Sequence, residues 1–269
     1  MAGRYMKYLF WNTQKAKINS ILEDLIVDTG SSIVGLAEYT DDINVLLHKL
    51  TLKGLRYYHI NKIGCERIDI IAKFTPGLIE HLNESSYYTI KKIPHEKLGF
   101  HLVAFVHLPS KKHEDDTDYL FYAHDLKKDI QEAEQVSNNS YTVILGDFNM
   151  NPFENGMIAA RGLHAMSSRR IAEIGSRRVK GEALSMFYNP MWNMFGDKTE
   201  PPGTYYYNRS NQINYYWHMF DQVIIRPTLL EHFEHDSLKI ITNVNSISLV
   251  KKSGQPQQSD HLPIVFVIR

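Results

Sequence analysis

Short apolar runs of strand length recur along this chain, and several close on a polar residue able to do chemistry; no other feature limits the fold as much. Tyr8 to Trp11 runs into Asn12, Ile33 to Ala37 into Glu38, and Tyr141 to Leu145 into Gly146-Asp147-Phe148-Asn149. Phe100 to Leu108 carries His107 near its end, Asp221 to Ile225 opens on an acid, and Ser259-Asp260-His261-Leu262-Pro263 stands directly before the apolar run Ile264 to Ile268. β-Branched and aromatic runs of this length predict strands.

Between the first two runs, Ile18, Ile21, Leu22, Leu25 and Ile26 fall at helical spacing and end near Gly30. The order strand, helix, strand brings Asn12 and Glu38 to one rim of a sheet. A short helix is expected over Ile43 to Leu50, strands over Arg67 to Phe74 and Tyr87 to Ile93, a loop over Ser110 to Asp118 and a helix over Tyr119 to Val136. Further on, the pattern predicts a helix near Phe153 to Ala160, a polar stretch over Ser167 to Glu182 and an aromatic loop region over Pro190 to Asn214. Strands follow at Lys239 to Thr242 and Ile247 to Val250. Many strands and few helices favour an α/β sandwich of two sheets flanked by helices. No repeat and no linker divides the chain, so residues 1–269 are expected to form a single domain.

Composition narrows the partners. The 269 residues are 43% hydrophobic and 12% aromatic, enough for a buried interior. With 30 basic and 30 acidic residues the formal charge is zero, so no global field draws the chain to duplex nucleic acid or an anionic membrane. Any polyanion is met locally. The lone Cys65 excludes an intrachain disulfide and suits a reducing compartment. The opening MAGRYMKYLFWNT lacks a signal-peptide core, and no stretch approaches the ~20 apolar residues of a membrane span, so a cytoplasmic location is expected.

In Gly146-Asp147-Phe148-Asn149, alternation along an extended chain points Asp147 and Asn149 to one side and Phe148 inward. Two oxygen-bearing side chains then share a cleft. Hard divalent cations take such oxygens, and phosphate chemistry needs an acid to position water and an amide to hold an oxyanion. The tetrapeptide also reads as a turn built from turn-favouring residues. Asp260 beside His261 can hold a phosphoryl group and manage a proton, or Asp260 can simply cap a turn before Pro263. Asp221 can fix the tautomer of a histidine ring, with His261 the candidate partner.

Taken together and in this order, Asn12, Glu38, His107, Asp147 with Asn149, Asp221, and Asp260 with His261 resemble the endonuclease/exonuclease/phosphatase superfamily. The resemblance runs along almost the whole chain and rests on Gly-Asp-Phe-Asn and Ser-Asp-His-Leu-Pro. It implies a four-layer α/β/β/α sandwich of two mixed sheets with the site at one end. It also implies a metal-dependent hydrolase of phosphate esters using Mg²⁺, with Mn²⁺ as substitute. Glu38, Asn12 and Asp260 would serve the metal; Asp147 would orient or deprotonate water. Asn149 and His107 would hold phosphate oxygens, and His261, oriented by Asp221, would contact the scissile phosphate. His124, in a predicted helix, is the rival of His107.

The substrate is less legible. Arg169, Arg170, Arg177, Arg178 and Lys180 can grip phosphates or form a solvated loop. Tyr205, Tyr206, Tyr207, Tyr215, Tyr216 and Trp217 can stack exposed bases or pack as strand faces. The first expectation is a nuclease acting on nucleic acid, with no obligate protein partner. The alternatives are a phosphatase or phosphodiesterase of a small nucleotide, inositol phosphate or phospholipid headgroup, and a catalytically silent binding module in the same cleft.

Overall fold

The alternation of side chains along the strands builds the fold. The computed structural model describes residues 5–112, 114–210 and 212–269. Residues 1–4 of the N-terminal segment, and His113 and Asn211 in the two expected loops, lie outside the described residues. The first half of the chain forms β1 (Met6–Asn12), α1 (Asn19–Thr29), β2 (Ile33–Ala37), α2 (Ile43–Leu52), β3 (Tyr58–Ile60) and β4 (Ile68–Ala72). There follow β5 (Glu80–Glu84), β6 (Tyr88–His95), β7 (Gly99–His107), α3 (Asp116–Ser137) and β8 (Thr142–Asp147).

Two mixed sheets result. The six-stranded one runs Lys239–Ile240, Ile264–Ile268, β1, β2, β4, β3. The seven-stranded one runs β5, β6, β7, β8, Asp221–Ile225, Phe187–Tyr188, Ala165–Met166. Tyr8 and Phe10 of β1 point into the space between the sheets, where they meet Val103 and Phe105 of β7, Val143 and Leu145 of β8, and Val223 and Ile225. Leu9 and Trp11 point the other way, onto Leu22, Leu25 and Ile26 of α1 and Leu46 and Leu50 of α2. On the far face of the second sheet, Leu102, Ala104, Val106 and Ile144 pack on Ala123, Leu126 and Ile130 of α3. The period of two in the strands and the helical stripes thus produce four layers, α/β/β/α.

Local signals set the element ends. α1 stops at Gly30, whose φ of 65° is left-handed and whose N–H reaches Ile26 O. α3 starts three residues before the expected Tyr119, because Asp115 and Asp118 form a reciprocal capping box. The expected strands and the long helix are present with ends shifted by a few residues. The helix near Phe153 to Ala160 shrinks to Asn155–Ile158. The polar stretch Ser167 to Glu182 holds a short helix, Arg169–Ala172, and a hairpin of Ser176–Val179 with Glu182–Ser185. Tyr58–Ile60 and Glu80–Glu84 are strands that the apolar pattern did not announce. They lie at sheet edges, where few residues need be apolar. Among the described residues no helix is long and apolar enough to cross a membrane.

Candidate active site

The inward parity that fills the core carries on past the last apolar residues, and at the strand ends it delivers polar side chains instead. Asn12 continues Tyr8 and Phe10, His107 continues Val103 and Phe105, Asp147 continues Val143 and Leu145, and Asp221 precedes Val223 on the same face. Register brings these ends level: Asp147 pairs with His107 on one side and with Asp221 on the other, while Asn12 pairs with Ala37. Asn12 donates from Nδ2 to Asp147 Oδ2 at 2.9 Å, linking the two sheets at the rim. By parity Glu38 would leave this face, but its φ of 49° breaks the alternation and puts Oε1 3.6 Å from His107 Nε2. A left-handed non-glycine residue is uncommon, and at a strand end it re-aims the side chain.

Gly146 is required by close approach. A Cβ there would lie 2.0 Å from Val106 O, so β8 could not sit against β7 with any other residue. Beyond it, Phe148 is buried in the α3 layer, and Asn149 turns back at φ 50°. Asp147 Oδ1 accepts from Asn149 N at 2.8 Å, and Asn149 Nδ2 donates to Leu108 O at 3.0 Å.

The loop of Asp260 and His261 is stitched to β1. Ser259 Oγ donates to Asn12 O at 2.8 Å and accepts from His261 N at 3.1 Å, and Trp11 Nε1 donates to His261 O at 3.0 Å. His261 Nδ1 lies 2.7 Å from Asp221 Oδ2, which fixes the ring so that Nε2 faces the cleft. There Nε2 is 3.9 Å from Asp147 Oδ2 and 3.8 Å from Asp260 Oδ1.

Electrostatics separates the two histidines. Burial opposes charge on His261, but Asp221, Asp147 and Asp260 outweigh it and raise its pKa to about 10. His261 is therefore an imidazolium at neutral pH. Burial raises Asp221 to about 6 against the pull of His261, leaving it the anionic partner. For His107, burial prevails over nearby Asp147 and Glu38 and lowers the pKa, so this ring is neutral. One cleft thus offers a charged donor and a neutral imidazole.

Residues the motifs did not flag complete the site. Gln14 Nε2 donates to Asp260 Oδ2 at 2.7 Å, Thr204 Oγ1 accepts from Asp221 N at 3.0 Å, and the Tyr205 ring lies 4.6 Å from that of His261. Tyr205 stood among the aromatics read as base-stacking candidates; Gln14 and Thr204 had no signal, because neither ends an apolar run.

The donor set fits a hard divalent cation. Its free groups are mostly carboxylate oxygens, and among the described residues Oδ1 of both Asp221 and Asp260 is buried without a hydrogen-bond partner. Asp147, Asp221 and His261 bring ligand atoms within 4.8 Å of one another. Asp221 and His261 of that triad are engaged with each other; Asp260 keeps Oδ1 open and Glu38 carries a part-exposed carboxylate, while Asn12 Oδ1 already accepts from Gln14 N at 3.1 Å.

Other expected site residues lie elsewhere. The Asp221–Ile225 strand leads away from the rim, and at its far end Ile225 pairs with Tyr188. Met186 there accepts from Arg226 Nη1 at 3.1 Å and donates to Gly175 O at 2.8 Å. Arg169, Arg170, Arg177 and Arg178 flank Gly175, about 13 Å of strand from the rim. They are not brought to the site, and Arg169 is paired with Glu173 and Glu231. His124 stands on α3 with Nδ1 3.1 Å from Arg161 O, while His107 stands at the rim. Tyr207, Tyr215 and Tyr216 are exposed on the hairpin that begins at Tyr205.

No protein-family model matches the chain, and no curated protein matches it. Solved structures do. The human Nocturnin catalytic domain is similar at TM-score 0.59 and 14% identity over 99% of this chain and 94% of that one. An endonuclease/exonuclease/phosphatase family protein from Bacteroides thetaiotaomicron is similar at TM-score 0.58 and 11% identity, over 98% and 94%. The 3′ phosphatase NExo from Neisseria, bound to product DNA hairpin, is similar at TM-score 0.58 and 12% identity, over 98% and 99%. The chain has the fold of the endonuclease/exonuclease/phosphatase superfamily; at these identities the likeness is one of fold.

Proposed function

We propose that this protein is a divalent-metal-dependent phosphoesterase, a nuclease that hydrolyses phosphodiester bonds of nucleic acid by in-line attack of water. The observation that carries the reading is the convergence of Asn12, Glu38, His107, Asp147, Asn149, Asp221, Asp260 and His261 on one rim between the sheets. That the two sheets share one core supports reading residues 1–269 as one domain.

Asp147 is held by Asn12 and Asn149 and keeps lone pairs towards the cleft, so it can orient a water and accept its proton. His261 Nε2 and His107 Nε2 both lie 3.9 Å from Asp147 Oδ2, on the path a phosphate would take between them. The imidazolium then holds one non-bridging oxygen as charge develops, with Asp221 fixing its ring; His107 and the Asn149 amide bracket the rest. Glu38, Asn12 and Asp260 would hold the cation, Mg²⁺ or Mn²⁺, which when bound neutralises charge on the phosphate and the leaving oxygen.

The preference for nucleic acid draws on Tyr205 beside His261 and the exposed tyrosines of its hairpin, surfaces on which unpaired bases stack. The DNA product on the structurally similar NExo is consistent with it. The test is cleavage of end-labelled single- and double-stranded DNA and RNA, beside a small phosphodiester, with Mg²⁺, Mn²⁺ or chelator and with Asp147→Ala as control. Metal-dependent and Asp147-dependent strand cutting is expected. Turnover of the small ester alone would move the reading to a nucleotide or lipid phosphoesterase.

A further inference from the structure

Beside Glu38 and His107, on the side away from Asp221, a cavity of about 360 Å³ is lined by Lys15, Glu66 and Arg67 among others. Arg67 arrives there by register: Ile68 pairs with Ala37 across β4 and β2, so the residue before it stands level with Glu38. Its guanidinium lies over the Tyr87 ring at 4.8 Å, and Tyr87 O accepts from His107 N at 2.8 Å, so one residue supports both groups. Lys15, at φ 59°, is held from the other side by its N–H to Glu38 O at 3.0 Å. Glu66, the other acid of the cavity, lies 4.0 Å from Lys62. Among the described residues neither Arg67 nor Lys15 has an ion pair or a side-chain hydrogen bond. A guanidinium stacked on a ring is fixed in place, yet keeps its edge donors free for a tetrahedral oxyanion.

We propose that Arg67 and Lys15 form a subsite for a second phosphate group, next to the one hydrolysed. The inference rests on the phosphoesterase reading and narrows it to substrates that carry phosphates in close succession. The scissile phosphate belongs between His107 and His261. Arg67 stands level with Glu38 and lines one cavity with Glu38 and His107, so an anion bound there adjoins that position. A nucleic-acid strand supplies such a phosphate, and so does a polyphosphorylated small molecule. Neither cation touches Asp147, so both act on binding.

The experiment compares the wild-type 269-residue chain with Arg67→Gln and with the Arg67→Gln/Lys15→Gln double variant. The probes are hexathymidylate, two hexathymidylates with a neutral methylphosphonate on one or other side of the scissile phosphate, inositol trisphosphate and inositol monophosphate. KM for hexathymidylate is expected to rise about tenfold in Arg67→Gln, with kcat within about twofold. For one of the two methylphosphonate probes, the wild type should show the same loss and the variant no further one. An effect on inositol trisphosphate but not on hexathymidylate would keep the subsite and assign it to a small polyphosphate. Equal weakening of charged and neutral probes, or no weakening of either, overturns the proposal. Should the wild type turn over no probe, the phosphoesterase reading fails, and the subsite is decided by the same comparison of affinities, read from fluorescence anisotropy in chelator.

Discussion

Asp147 and Asp221 face each other across neighbouring antiparallel strands, yet their surroundings give them different work: Asp221 is spent on His261 Nδ1 at 2.7 Å, while Asp147 is held by the Asn12 amide and the Asn149 backbone. Two inward acids at one rim thus have different partners: a histidine ring for Asp221, and an amide from the opposite sheet for Asp147.

Asp221→Asn keeps the shape and removes the anion that holds the His261 imidazolium. Steady-state kinetics should show kcat lower by about 100-fold or more with KM little changed. Wild-type kcat in this variant would mean that the contact does not serve catalysis.

His101 lies wholly buried against the Tyr8 hydroxyl at the other end of the inter-sheet space, and burial lowers its pKa to about 3. The unfolded chain takes up this proton near the ordinary histidine value, and the folded one does so only far below it. Stability is therefore lost as pH falls from about 6.5 towards 3, by on the order of 1 kcal/mol per pH unit from this group. Urea unfolding across that range should show the slope, and His101→Gln should make it shallower without abolishing it, because burial lowers His95, His164 and His218 in the same direction; an unchanged slope would remove His101 from the acid sensitivity.

Much of this was legible because one rule, inward alternation, both fills the core and ends at the chemistry. Asn12, His107 and Asp147 follow apolar residues of the same parity, so the strand pattern and the candidate site were a single signal. Glu38 obeys the chain order but reaches the rim through a left-handed φ that no periodicity announces. Gln14 depends on how the C-terminal loop folds back over 246 residues, which local spacing does not encode. The arginine-rich stretch showed the limit of composition: it marks charge but not which end of a sheet the charge reaches. Edge strands such as Glu80–Glu84 were missed because half-exposed edges tolerate polar sequence.

Gly146→Ala would place a methyl group 2.0 Å from Val106 O within the central pair of the second sheet. A loss of about 3 kcal/mol or more in unfolding free energy is expected, or failure to fold. Gly30, whose added Cβ meets nothing within 4 Å, should lose only about 1 kcal/mol as Gly30→Ala, from its positive φ. Equal melting temperatures for the two variants would contradict the packing account.

Arg177→Gln with Arg178→Gln removes charge from the hairpin at the far end of the Asp221–Ile225 strand. KM for oligonucleotides should stay within about twofold of wild type, in contrast to Arg67→Gln. A rise of about tenfold or more would bring that hairpin into the substrate path.

The central claim is that the polar rim between the sheets is a metal-dependent hydrolytic site, and Glu38→Gln tests it most directly. The Glu38 side chain is only partly buried and, among the described residues, makes no side-chain hydrogen bond, so the substitution leaves packing intact. The measurement is single-turnover hydrolysis of a labelled oligonucleotide at saturating Mg²⁺, with thermal unfolding followed on the same preparation. The expected result is a rate lower by about 100-fold or more at an unchanged melting temperature; an undiminished rate would contradict the account.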